Sequence, residues 1–206
     1  MKRNGIDLSH WNGKVDFKEV VKAGYDFAIL NCGGSDYGFY KDSRFEENYY
    51  GAKAAGVGVG AYYFVGPKCV SKEDGIADAD RFIEIVKGKK FEYPLYMDVE
   101  SPAPWSRGGN TEAAIAFCDR LEKAGYYAGI YASDISGFRE RLNINELTRF
   151  DKWVARYGSS PSYVKNYGMW QYSSTGRVPG ITGNVDMNIS YYDFPDIMKR
   201  YHLNGY

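Results

Sequence analysis

Asp98 and Glu100 close the stretch YPLYMDVES (93–101), one residue apart at the end of an apolar run. On an extended strand, residues two apart face the same side. Both acids therefore share a face with Tyr96 and Pro94, while Tyr93, Leu95, Met97 and Val99 take the other. Their Cα atoms then lie roughly 6.5–7 Å apart. Two negative charges that close are costly away from water. Such a pair binds a cation, keeps a proton on one member, or stays fully solvated. A protonated acid beside an ionised carboxylate is what hydrolysis of a glycosidic bond requires. The same acids, gathered with others, would also suit an oxygen-ligated Mg²⁺ or Mn²⁺.

Two further acids belong with them if the strands form an α/β barrel, where chemistry collects at the C-terminal strand ends. Asp7 lies in the first strand (NGIDLS) and Asp186 in the last (GNVDMN). A lone acid after a strand is more often a helix cap or a solvated residue. The pair is harder to explain that way, because SPAPW extends the chain after Glu100 instead of starting a helix. On the strand GVGVGAYYF (56–64), Gly58, Gly60, Tyr62 and Phe64 share a parity. The glycines are expected to leave room inside a barrel, with the Tyr62 phenol reaching the mouth. Tyr131 ends a later strand in the same way, and GGSDYGFY (33–40) reads as a loop at that mouth.

The elements that must position these groups show in a local pattern that occurs three times. VVKAGYDFAIL (20–30), AKAAGVGVGAYYF (52–64) and LEKAGYYAGIYAS (121–133) each end a helix, pass through glycine and enter an apolar run. Glycine after a helix permits the left-handed cap that turns the chain into a strand. Repetition of that unit means βα units and a parallel sheet. Strands are expected at 4–9, 26–31, 57–64, 93–99, 126–132, 152–157, 168–172 and 184–188. Helices are expected at 16–23, 43–55, 72–87, 111–124 and 134–142, with Ser71 and Asn110 as N-caps. Helical periodicity fades after Leu142. The fold expected is α/β: a flattened, incomplete (β/α) barrel of about eight strands, helices mainly in the first two thirds, and residues 1–206 forming one domain.

Composition excludes several classes. Lys and Arg total 26 against 26 Asp and Glu, with no basic run, which argues against a nucleic-acid surface. Three cysteines without a CxxC pair and only two histidines signal neither a disulfide framework nor a zinc site. No apolar stretch suits a membrane span, and no leader-like segment opens the chain. Twenty tyrosines and four tryptophans suit a site that stacks on sugar faces.

GIDLSHWNGKVDF, GAYYF, YPLYMDVE, AGIYAS, KWVARYG, WQYSS and VDMN, in that order, resemble glycoside hydrolase family 25, the lysozymes or muramidases. The resemblance runs from about Gly5 to Tyr192. It implies a β/α barrel and hydrolysis of the β-1,4 bond between N-acetylmuramic acid and N-acetylglucosamine in bacterial peptidoglycan. It also implies Glu100 as general acid, Asp98 as its partner carboxylate, and Asp7 and Asp186 as flanking acids. Tyr62 and Gln171, with Tyr131, are expected along the substrate groove. No metal or other cofactor is expected. A monomer acting outside the cell on the wall is expected, reached either by release at lysis or after a leader was removed. The metal-dependent hydrolase and a catalytically silent glycan-binding barrel stay open as alternatives. Asn31-Cys32 departs from the family's usual sequence at that point.

Overall fold

The computed structural model describes residues 2–206. Among the described residues, nine strands form one sheet: β1 (Arg3–Leu8), β2 (Phe27–Gly34), β3 (Tyr40–Lys41), β4 (Gly58–Phe64), β5 (Leu95–Asp98), β6 (Ala128–Ser133), β7 (Asp151–Ala155), β8 (Met169–Gly176) and β9 (Val185–Ser190). Their order is β1-β9-β8-β7-β6-β5-β4-β2-β3, and pairing of β1 with β2 closes eight of them into a ring. The short β3 hangs on β2 outside that ring. The eight-stranded barrel expected from the sequence is therefore present, and its incompleteness lies in the helical layer rather than in the strands.

Helices α1 (Phe17–Lys22), α2 (Phe45–Ala55), α3 (Lys72–Val86) and α4 (Arg107–Lys123) fill the early crossovers. Gly24, Gly56 and Gly125 sit at φ of 87°, 82° and 86°, the left-handed turn the recurring pattern requires. Beyond β6 the crossover shrinks to a π-helical turn (Asp134–Arg139), where a longer helix was expected. Ser71 caps α3 as expected, its hydroxyl accepting from Asp74 N. Asn110 does not cap α4. The 3₁₀ turn Pro104–Ser106 runs straight into the helix, so α4 starts at Arg107. Asn110 instead faces inward and donates to the carbonyls of Ala103 (2.9 Å) and Arg141 (3.2 Å).

A fifth helix, α5 (Phe194–Tyr201), lies in the tail that the fading periodicity left unassigned. Asp193 caps it through Asp196 N, and Pro195 fits its first turn. Its Phe194 and Met198 join Phe27, Ile29, Tyr93, Tyr96, Tyr131, Trp153 and Met169 in the barrel interior. Phe27 and Tyr93 stand at the beginnings of their strands, so α5 seals the floor. A separate apolar layer of Ile6, Leu30, Val59, Phe82, Phe117 and others lies between strands and helices. Each large side chain buried this fully contributes about 1.5–3 kcal/mol, which is why the barrel is packed rather than hollow.

That packing corrects two expectations. Tyr93 lies in the interior with Tyr96, not on the outer face with Leu95, because the regular strand begins only at Leu95. Gly58 and Gly60 do not leave empty room. A Cβ on Gly60 would stand 2.7 Å from Ile29 Cδ1, and one on Gly58 would stand 2.7 Å from the Tyr93 ring. The glycines admit those side chains. No helix among the described residues is long and apolar enough to cross a membrane.

Candidate active site

With the floor sealed, accessible chemistry is confined to the opposite end. There β1, β2, β4, β5, β6 and β7 run parallel and finish together. Asp98 is the last residue of β5, next to Phe64 of β4 and Tyr131 of β6. Asp186 reaches the same end by a different route. β9 runs antiparallel to β1, so the start of β9, not its end, lies at the mouth, with Asp186 opposite Asp7 in the ladder. The four acids singled out from the sequence do converge.

Their environments differ. Asp98 is 4% exposed, and its Oδ1 has no hydrogen-bond partner among the described residues. Burial drives its pKa well above the ordinary range, and the charges of Glu100, Asp7 and Asp36 add to the push. Glu100 keeps an open side to solvent. Partial burial raises its carboxyl, Tyr131 and Arg141 oppose the rise, and Asp186 adds to it. Burial is deeper at Asp98 than at Glu100, so the push toward the protonated form is stronger there. The difference follows from position: the strand end carries Asp98 inside, while Glu100 lies beyond it.

Asp7 is also buried. Burial and the Asp186 charge raise its pKa, while hydrogen bonds from Asn188 and Gln171 pull it down, leaving it well raised. Both amides donate to Oδ2, Gln171 Nε2 at 2.9 Å and Asn188 Nδ2 at 2.8 Å. Asp186 is half-buried and raised by burial, with a hydrogen bond to Asp7 opposing. Two facing carboxyls of this kind share a proton.

The groove residues sort into two groups. Tyr62 is half-buried, edge-on to Trp153 at 6.0 Å between ring centres, with Asn31 as a hydrogen-bonding neighbour. Burial, then the nearby Asp7 and Asp98 charges, raise its phenol well above the usual value. It stands among the acids. Gln171, in contrast, is only 2% exposed. Its Oε1 accepts from the Tyr131 (2.9 Å) and Tyr157 (3.0 Å) hydroxyls while its amide donates to Asp7. Gln171 is a relay that orients Asp7, Tyr131 and Tyr157, with little surface left for a ligand. Tyr131 is likewise buried, and it packs on Trp153.

Four contributors escaped the sequence reading. Asn188 is fully buried, accepts from Trp153 Nε1 (2.8 Å) and donates to Asp7. It shares a strand face with Asp186, so the two-residue parity that links Asp98 to Glu100 would have found it. Asp36, on the loop after β2, adds a fifth carboxyl group near Asp98, and its buried Oδ1 has no partner among the described residues. Tyr157 and Arg141 line a cavity of about 670 Å³ that opens beside Glu100. Tyr157 lies in the motif KWVARYG, while nothing in the local sequence marks Arg141. Among the described residues, no three His, Cys, Asp or Glu are grouped so that they could hold a metal ion.

The chain is also similar to known proteins. The chain is 30% identical to lysozyme M1 of Streptomyces globisporus, over 89% of its own length and 66% of that protein's. It is 28% identical to an autolytic lysozyme of Clostridium acetobutylicum, over 89% and 54%. The chain thus spans only part of the length of these curated relatives. Among solved structures, the CTP1L endolysin superposes with a TM-score of 0.83 at 26% identity, over 96% of this chain and 70% of that one. A lysozyme of Streptomyces coelicolor gives 0.74 at 28%, over 92% of each. Residues 6–181, which carry Asp7, Asp98 and Glu100, match the sequence model of the glycosyl hydrolases family 25, and the chain belongs to that family.

Proposed function

We propose that the protein is a muramidase. It hydrolyses the β-1,4 bond between N-acetylmuramic acid and N-acetylglucosamine in bacterial peptidoglycan, acting on the cell wall outside the cell. The whole span 1–206 serves as one catalytic domain. The observation that carries the reading is the pairing of a buried acid, Asp98, whose Oδ1 lacks a partner, with Glu100 open to a cavity. Its relatives named lysozymes support the choice of substrate.

Glu100 is the general acid and Asp98 the partner carboxylate. The two titrate as a pair holding one proton. In the free enzyme that proton favours Asp98. A sugar that covers the open side of Glu100 removes water and raises its pKa further. Positive charge growing at the anomeric carbon next to Asp98 has the opposite effect there and favours its carboxylate. Both changes move the proton toward Glu100, where the departing oxygen needs it. The substrate's own 2-acetamido group is the nucleophile in this reading, oriented by Asp98. Asp7 and Asp186 sustain the negative field, Gln171 and Asn188 hold Asp7 in place, and Tyr62 contacts the sugar.

Purified peptidoglycan digested with the protein should gain reducing ends on muramic acid. Reducing ends on glucosamine, or cleavage of peptide bonds alone, would overturn the assignment. Activity should persist after EDTA treatment and dialysis. Loss that added Mg²⁺ or Mn²⁺ restores would make the acids metal ligands instead.

A further inference from the structure

Arg141 lines the cavity that Glu100 opens into. Its Nε donates to the Pro102 carbonyl at 2.9 Å and its Nη1 to the Ser136 carbonyl. These anchors fix the guanidinium between the loop after β5 and the π-helical turn. Arg156, on the same wall, is already occupied: it pairs with Asp134 at 2.8 Å and also donates to Ser162. Arg141 makes no ion pair among the described residues, and its Nη2 is left without a protein partner. A guanidinium held by neutral carbonyls keeps its full charge and has already lost its rotamer freedom. That is the preparation a planar anion-binding fork needs.

The position selects the anion. The cavity touches Glu100, so an anion beside it must sit on the sugar whose bond is breaking or on what hangs from that sugar. N-acetylmuramic acid carries a lactyl group on O3 of that same ring. The lactyl group ends in a carboxylate or, where a peptide is attached, leads to the peptide's carboxylates. N-acetylglucosamine carries neither. We propose that Arg141 forms a carboxylate subsite that takes the lactyl or stem-peptide acid of muramic acid, an inference that rests on the muramidase reading. It separates peptidoglycan from uncharged chitin-like chains by one charged contact.

Three glycans test this. The first is uncross-linked peptidoglycan with its peptides. The second is the same glycan stripped by an amidase, which frees the lactyl carboxylate. The third is the stripped glycan with that carboxylate converted to its methylamide. The wild-type protein should cleave at least one acidic glycan about tenfold better in kcat/KM than the methylamide, as befits a charge-assisted contact. Preference for the second substrate assigns the lactyl acid, and preference for the first alone assigns the peptide. In Arg141→Gln the acidic-to-neutral ratio should collapse toward one, and Arg141→Lys should recover part of it. Arg141 also ties two loops and lowers the Glu100 pKa, but losses from either cause strike all three substrates alike and leave the ratio intact. Equal wild-type rates on all three, or an unchanged ratio in Arg141→Gln, would sink the subsite while leaving muramidase activity standing. Absence of muramic reducing ends from every substrate would remove the muramidase reading and the subsite together. If Arg141→Gln does not fold, the wild-type ratio and Arg141→Lys still decide.

Discussion

Asp98 and Asp134 are buried carboxylates at the same end of the barrel, one finishing β5 and the other following β6, exposed 4% and 1%. Burial pushes both upward in pKa, yet they end on opposite sides of the ordinary value. Around Asp134 the backbone N–H groups of Val164, Ser162 and Tyr163 and the Arg156 guanidinium outweigh burial and lower it. Their distances run from 2.7 to 3.2 Å, Val164 at 2.9 Å, Ser162 at 2.7 Å and Arg156 at 2.8 Å. Asp98 has no such donors among the described residues, and its neighbours are acidic. Burial alone therefore does not separate the acid proposed for catalysis from a structural one. The partners do: Asp134 holds the 162–164 loop in place, while Asp98 keeps an oxygen in reserve.

The largest expected effect breaks the pair of acids proposed for catalysis. Asp98→Asn and Glu100→Gln should each lose about 10²–10⁴-fold in kcat on peptidoglycan, the range typical of general acid–base help. Asp98→Asn should melt no lower than wild type, because burial already favours the uncharged form of that side chain and a neutral amide has the same shape. An aryl glycoside with a good leaving group, if accepted, should rescue Glu100→Gln and not Asp98→Asn. Rescue of the other variant would exchange the two roles.

Asp134→Asn should show the mirror image. One neutral amide cannot replace a carboxylate that accepts from three backbone amides and an arginine, and hydrogen bonds to charged groups are worth about 1.5–3 kcal/mol. A drop in Tm of roughly 3–12 °C follows for a chain of this size, with activity per folded molecule changed far less than in Asp98→Asn. A melting curve that Asp134→Asn leaves unmoved would end the contrast.

The same contrast gives opposite pH slopes. Asp98 and Asp7 have raised pKa values when folded, so the folded protein binds protons that the unfolded chain has released. Stability should rise as pH falls from neutral toward about 4, the unfolded carboxyl value. Asp134 is lowered, so its contribution is complete above about 4 and is lost as pH falls further. Thermal melts from pH 8 to 3 should thus pass through a maximum on the acid side of neutral. Asp98→Asn should flatten the limb above that maximum, and Asp134→Asn the limb below it.

The readable part of this contrast was the half set by local rules. Strand parity joined Asp98 to Glu100, and the helix–glycine–strand unit announced the parallel barrel that gathers Asp7 with them. The hidden part depends on contacts between residues distant in sequence. Gln171 is a relay only because Tyr131, Tyr157 and Asp7 meet there, at separations of 40, 14 and 164 residues. Asp134 looks like any acid after a strand until the 162–164 loop folds over it. The order of proton affinity between Asp98 and Glu100 was hidden for the same reason, since burial belongs to the assembled mouth and not to spacing. Helix α5 was not among the expected elements, although Asp193 as cap, Pro195 in the first turn and apolar residues at 194, 197, 198 and 201 fit one, because its short span lies beyond the region where periodicity is strong.

The smallest effect tests the contrast among tyrosines. Tyr96 and Tyr62 are both inward-facing and raised in pKa, first by burial and then by nearby acids. Tyr96 donates to Asp151 at 2.8 Å, and that buried carboxyl sits at about 6. Removing the hydroxyl in Tyr96→Phe withdraws the donor from a buried acid, so stability should fall by about 1–3 kcal/mol. Catalysis by the molecules that remain folded should change little. Tyr62 stands at the mouth, half-buried, with Asp7 and Asp98 as its charged neighbours. Tyr62→Phe keeps the ring against Trp153 and withdraws one neutral hydrogen bond to substrate, worth about 0.5–1.5 kcal/mol. That converts to a loss of roughly two- to tenfold in kcat/KM, with Tm within about 2 °C of wild type. Measured together, the two variants should divide cleanly, one losing stability and the other turnover. If Tyr62→Phe melts early yet turns over normally, its phenol supports the barrel wall as Tyr96 does, and the sugar contact must be sought at Tyr131 or Tyr157.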